Sequence, residues 1–251
     1  MLPAVEADAR IADAIRVMRE YGLYHVLVTS GERVEGILSV VDAARSFMEK
    51  LEAAGDVERV DAVRRFFEER VSRLATRPVI VVEEGVSMRD AARIMHSHRI
   101  GCLPVVKDDV VTRAICEPDV VRALVEEGRR DPVYRHATRR LVYVEYEATI
   151  MEALGVIVEG GFRRLPVLAR GALAGITTVH MLMEALVANP KMLYEQVGRV
   201  MKPAVTVDLW TPVYKAAEEV LRSNVGAVIL VEGGTLAGIF TERDAVRVYA
   251  G

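Results

Sequence analysis

The sequence is short of most residues that announce chemistry. Two cysteines, one tryptophan, five histidines and an aromatic fraction of 6% are spread over 251 residues. Cys102 and Cys116 have neither the spacing of a metal site nor the density of a disulfide framework, which suits a reducing cytoplasm. His96 and His98 fall on different sides of a helix, so one ion does not take both, and no metal is expected. No apolar run approaches the roughly eighteen residues of a membrane helix. No charged start followed by an apolar core marks a secretory signal. Excess charge is lacking too: the formal net charge is −3, and the basic pairs Arg64-Arg65, Arg129-Arg130, Arg139-Arg140 and Arg163-Arg164 sit among acids. A direct nucleic-acid binder would show a basic stripe that neutralises phosphates. No nucleophile–base set, paired catalytic carboxylates or phosphate-cradling glycine loop stands out, so catalysis is not expected.

Repetition is what the chain does have. Ala14, Ala91, Ala153 and Ala216 each start the same ruler. Twelve residues on come Val26, Leu103, Leu165 and Val228, each opening an apolar run. Twenty-five on come Ser39, Cys116, Thr178 and Thr241, and twenty-eight on come Asp42, Asp119, Met181 and Asp244. One unit is written four times without an insertion inside any copy. A chain made of such units leaves no room for a separate catalytic domain.

Each unit reads strand, helix, strand, strand, helix. In the fourth, Ala204 to Val207 is short and β-branched, and Thr211-Pro212 opens a helix with Thr as cap. Val213, Ala216, Ala217, Val220 and Leu221 recur at helical spacing, Val228 to Val231 is a buried strand, and Leu236 to Phe240 the next. Thr241-Glu242-Arg243-Asp244 starts the last helix. The other copies follow with Thr149, Ser87 and Ala9 at the cap position; Asp108-Asp109 turns the second. Leu2 to Val5 is all that serves as the first opening strand, so either the chain is trimmed or that edge is covered by a partner. Trp210, next to the Thr211 cap, reads most simply as a packing residue, with base stacking the lesser alternative.

The four alanines lie 77, 62 and 63 residues apart, so the first interval holds about one extra helix. Val60, Val63, Phe67, Val71 and Leu74 share its apolar face, with Gly55-Asp56 interrupting it. The expected divisions are 1–46 and 77–125 for the first two copies, with 47–76 as a connector, then 137–187 and 200–249 for the last two.

The unit of about sixty residues, with Leu-Pro-Val on its second strand and Gly-Ile-x-Thr-x-x-Asp leading into its last helix, resembles the cystathionine β-synthase (CBS) domain. Gly238-Ile239-Phe240-Thr241-Glu242-Arg243-Asp244 matches that signature throughout, and Gly36 to Asp42 nearly so. The resemblance implies an α/β (α+β) fold of four β-α-β-β-α copies. It pairs consecutive copies into two modules, 1–122 and 137–247, in a flat disk similar to the regulatory gamma subunit of AMP-activated protein kinase. It also implies a non-catalytic energy sensor that binds an adenine nucleotide (AMP, ADP or ATP) and transmits occupancy to an unidentified protein target. S-adenosylmethionine and a scaffold with vestigial sites are the alternatives, and a homodimer is left open.

Physical chemistry accommodates the implied site. A helix N-terminus leaves unpaired N–H groups that favour phosphate. Thr241 adds a hydroxyl there, and the Asp244 carboxylate can accept both ribose hydroxyls. The same pattern is also an ordinary helix cap. The resemblance sets Thr241, Arg243 and Asp244 against Arg163 and Arg164, whose guanidiniums suit phosphate oxygens. Ser39 and Asp42 form a second candidate, with Arg77, Arg99 or Lys107 for the phosphates. Cys116 and Asp119 form a weaker one, with Cys116 a structural thiol. The third copy, with Met181 in place of the acid, is expected to be empty or self-filled.

Overall fold

The computed structural model describes every residue except Met1, Leu2, Glu32, Asp56, Val57 and Asp109. The parts of the expected elements that fall on Leu2, Asp56 and Asp109 lie outside the described residues.

Each copy folds a three-stranded sheet whose first strand runs parallel to the second and whose second and third form an antiparallel hairpin. The first copy comprises β1 (Ala4–Glu6), α1 (Ile11–Glu20), β2 (His25–Ser30), β3 (Arg33–Ser39) and α2 (Val40–Ala53). After α3 (Arg59–Glu68) the second comprises β4 (Val82–Glu83), α4 (Met88–His98), β5 (Cys102–Lys107), β6 (Val110–Cys116) and α5 (Glu117–Glu127). The third has β7 (Val144–Glu145), α6 (Ile150–Gly160), β8 (Arg164–Ala169), β9 (Ala172–Thr178) and α7 (Val179–Ala188). The fourth has β10 (Thr206–Asp208), α8 (Val213–Arg222), β11 (Ala227–Glu232), β12 (Thr235–Thr241) and α9 (Glu242–Ala250). The fold is thus mixed α/β, with four copies of one unit.

The repetition extends to irregularities. The hairpin register shifts at Val28/Thr29, Val105/Val106, Val167/Leu168 and Leu230/Val231, the same place in every copy. Caps follow the sequence in part. Thr149 and Ser87 accept from the backbone N–H of Glu152 and Asp90 at 3.2 and 3.1 Å. At α8 the cap position falls on Pro212 instead of Thr211, and at α1 on Arg10 instead of Ala9.

The chain divides into two compact units, each holding two copies. One joins the first and third copies, the stretch up to Val79 with Tyr143–Lys202; the other joins the second and fourth, Ile80–Val142 with Pro203–Gly251. The compact units therefore combine alternate copies, where the resemblance groups consecutive ones. Helix packing explains the grouping. In the first unit α1 and α2 meet α6 and α7, and Ile11, Ile15, Met18, Phe47, Val179, Leu182 and Leu186 share one core. In the second, α4 and α5 meet α8 and α9. There Val121, Leu124, Ala216 and Val248 form one cluster, and Met95, Leu103 and Val246 another.

The interval after the first copy holds one extra helix, α3, which begins only after α2 has run on to Ala53. Val63, Phe67 and Val71 face inward as their spacing predicts. Phe66 joins them, with its ring 5.3 Å from that of Phe47. The segment is a structural brace of its unit.

Candidate functional site

In the unit of the second and fourth copies, β12 ends at Thr241, which turns out of the strand to cap α9. The hydroxyl of Thr241 donates to Asp244 Oδ2 at 2.8 Å and accepts from the Asp244 backbone N–H at 3.4 Å. The same carboxylate oxygen accepts the Thr241 backbone N–H at 2.9 Å. This is a reciprocal capping box, which satisfies donors a helix start leaves open. Asp244 is only 7% exposed. Its other oxygen accepts from Arg247 at 2.8 Å and from the Thr138 hydroxyl at 3.5 Å. Burial raises the Asp244 pKa, against the opposing pull of Thr241, Arg247 and Thr138.

Thr138 is one of the site residues that the sequence reading missed. Its backbone pairs with Ile239 on the edge of β12, with N–H to O distances of 2.9 Å in both directions. Gly238 permits the approach, since a Cβ there would lie 3.0 Å from the Thr138 carbonyl. A signal was present: Val71-Ser72-Arg73-Leu74-Ala75-Thr76-Arg77 and Val133-Tyr134-Arg135-His136-Ala137-Thr138-Arg139 are near copies. Arg247 also donates to the His136 carbonyl, tying α9 to this segment.

The first copy repeats the arrangement. Ser39 caps α2, accepting from the Asp42 N–H at 3.1 Å and bonding the Asp42 carboxylate at 2.6 Å. Thr76 pairs its backbone with Ile37, over Gly36, as Thr138 does with Ile239. Here the acid is more open, with a side chain 43% exposed and Arg45 at 3.6 Å. Two of the three cations considered for it are engaged: Arg77 pairs with Glu35 at 3.2 Å and Lys107 with Glu84 at 2.9 Å.

In the same unit as Ser39 and Asp42, Arg163 and Arg164 are buried beside Tyr24, each guanidinium carbon 5.1 Å from the ring centroid. His180 lies against that ring as well, at 5.1 Å. The imidazole pKa is lowered to about 4, first by burial and then by Arg164, Arg19 and Arg163. Thr178 caps α7, accepting from the Met181 N–H at 3.2 Å, and Met181 offers no acceptor for a sugar. Thr241, Arg243 and Asp244 therefore belong to one unit, and Arg163 and Arg164 to the other. Arg243 is exposed.

The second copy corrects the expectation for the cysteines. Cys102 and Cys116 are register partners on β5 and β6 and form a disulfide. The loop they close spans 14 positions, and their Cα atoms are 4.1 Å apart, as in the closely spaced pairs of an antiparallel ladder. Asp119 nonetheless keeps its capping role, accepting the Cys116 N–H at 2.8 Å. Among the described residues there is no cluster of three or more metal-ligating side chains, and no helix is long and apolar enough to cross a membrane.

Comparison with known proteins follows the same fourfold division. The sequence matches the CBS domain at residues 2–49, 71–126, 133–188 and 197–251. Protein MJ1225 of Methanocaldococcus jannaschii is 25% identical over 197 residues, covering 72% of this chain and 70% of that protein. Its crystal structure, described as that of a candidate archaeal homologue of γ-AMPK, superposes with a TM-score of 0.85 at 23% identity. That superposition covers 100% of this chain and 96% of the other. A protein encoded in the ribosomal RNA operon of Thermofilum pendens is 26% identical over 98% of this chain and 87% of its own. CBS domains are regulatory ligand-binding modules, and with four of them spanning nearly its whole length, this chain belongs to the CBS domain family.

Proposed function

We propose that the protein is a non-catalytic sensor that binds an adenine nucleotide, AMP, ADP or ATP, and passes its occupancy to a partner protein. The observation that carries this reading is the Asp244 carboxylate, buried at the start of α9 between the Thr241 and Thr138 hydroxyls. A carboxylate accepts from two adjacent sugar hydroxyls, and backbone N–H groups at a helix start attract phosphate. Ser39 and Asp42 supply a second, more open version of the same chemistry. Arg163 and Arg164, in the unit of Ser39 and Asp42, offer cations for phosphates there, and Arg243 offers one in the unit of Asp244. Regulation then follows from differential affinity, since a ligand shifts an equilibrium only by the difference in its binding to the two states.

A second reading is favoured by one observation. Four hydrogen bonds already engage the Asp244 carboxylate, so the residue is fully employed as a cap, as in a scaffold with vestigial sites. A thermal-shift panel of AMP, ADP, ATP and S-adenosylmethionine, followed by mass spectrometry of material carried through purification, separates the two. The sensor shifts with at least one nucleotide, and the scaffold shifts with none.

A further inference from the structure

We propose that His180 completes an oxyanion seat with Arg163 and Arg164 in the unit of the first and third copies, and that the seat takes up a proton as it fills. The inference rests on the reading that these arginines meet the ligand's phosphates, and it adds a donor and a linkage which that reading does not contain.

Three observations lead there. First, α7 departs from its three counterparts. The helices starting at Val40, Glu117 and Glu242 each carry an acid in the first turn, and α7 has none there. The partial positive charge of its N-terminus is therefore uncompensated from within the helix. Second, the residue after Val179 is an imidazole, where the other copies have Val41, Pro118 and Arg243. Its Nε2 is shut off from solvent and has no hydrogen-bond partner among the described residues. A buried polar atom left in that state costs free energy that a suitable ligand would recover. Third, both guanidinium carbons and the imidazole centroid lie 5.1 Å from the centroid of one ring, Tyr24. Arg163 and Arg164 hold further contacts as well, so an arriving anion joins an existing charge network.

The charges acting on His180 are Arg164 and Arg163 at the start of β8 and Arg19 of α1. Arg19 is itself paired with Glu184 of α7. No charged group of α2, α3 or α6, which also pack on α7, is among those acting on the imidazole. Burial and the three nearby cations hold His180 neutral near neutral pH. A phosphate placed between the arginines reverses the local field and favours the protonated ring. Its Nε2–H then donates a charge-assisted hydrogen bond to a phosphate oxygen.

Calorimetry of the full chain with AMP, ATP and sodium pyrophosphate, in buffers of low and high ionisation enthalpy near pH 6.5, tests this. We expect uptake of about one proton per bound anion, read from the buffer dependence. Histidine-resolved NMR should place the His180 midpoint more than about three pH units higher with pyrophosphate than without, as uptake of a proton near pH 6.5 requires. His180→Gln should lose the proton uptake and bind roughly tenfold more weakly near pH 6. Buffer-independent heats in the wild type, or uptake unchanged in His180→Gln, would overturn the seat. Proton-linked pyrophosphate binding without any response to AMP or ATP would support the seat and sink the adenine reading. Silence toward every anion would sink both.

Discussion

Thr138 and Asp244, 106 residues apart, share a hydrogen bond between a hydroxyl and a carboxylate oxygen in the second compact unit. The contact makes Asp244 part of two structures at once, the cap of α9 and the junction with the segment on β12. Asp244→Ala removes both. We expect the variant to lose about 1–2 kcal/mol of stability, the scale of a lost helix cap. Adenosine-ligand binding should weaken by roughly 1.5–3 kcal/mol, the scale of hydrogen bonds to a charged group. Chemical denaturation and calorimetry measure the two effects separately. Equal affinity in variant and wild type would remove Asp244 from the ligand site while leaving its capping role.

His180 makes stability depend on pH. Its folded pKa of about 4 lies below the ordinary 6.5, so the unfolded chain binds this proton more readily. The stabilisation is complete above about pH 6.5, declines as pH falls toward 4, and is gone below that. Over the window it amounts to about 3 kcal/mol at most. Urea denaturation of wild type and His180→Phe at several pH values should show a shallower acid-side decline in the variant. Parallel curves would exclude the imidazole as their source.

The disulfide predicts thiol chemistry. Under non-reducing denaturation, a thiol-reactive dye should find no free cysteine, since Cys102 and Cys116 are paired. Cys116→Ser should lower stability under oxidising conditions by up to about 3 kcal/mol, the loop-closure scale for this size. Under strong reductant the difference between variant and wild type should shrink. Two free thiols per chain in the purified protein would overturn the pairing.

Glycines supply a packing test with opposite signs. A Cβ on Gly175 would sit 2.5 Å from the Lys202 carbonyl, whereas at Gly155, inside α6, the nearest atom is Met48 Cε at 3.9 Å. Gly175→Ala should therefore cost about 1–3 kcal/mol through displacement of the Lys202 segment. Gly155→Ala should add roughly 0.5–1 kcal/mol by helix propensity. Thermal melts of the pair give the two signs directly.

Much of this was legible in the chain because the unit is written four times. The hydroxyl at Thr241 and the acid three residues on define both the cap of α9 and the start of its first turn. Thr149 and Ser87 were readable as caps for the same reason. Helix starts at Pro212 and Arg10 differed by one residue from the reading, since local sequence there offers adjacent alternatives. Which copies pack together was not legible. Ile15 and Leu182 each mark an apolar face, but a face does not name its partner, and the alternate grouping emerges only from helix packing. The disulfide was hidden for another reason. Spacing along the chain says little about it, whereas hairpin register decides it: His25 faces Ser39, Arg164 faces Thr178, Ala227 faces Thr241, and the same rule sets Cys102 against Cys116.

The register shift common to the four hairpins has a consequence for substitution. Because the kink is shared to the residue, a replacement at the tip of one third strand points the same way as in its sisters. Ser39, Cys116, Thr178 and Thr241 are thus equivalent positions on a constant frame. A side chain exchanged at one of them alters the start of its own helix while the other three copies keep their shape.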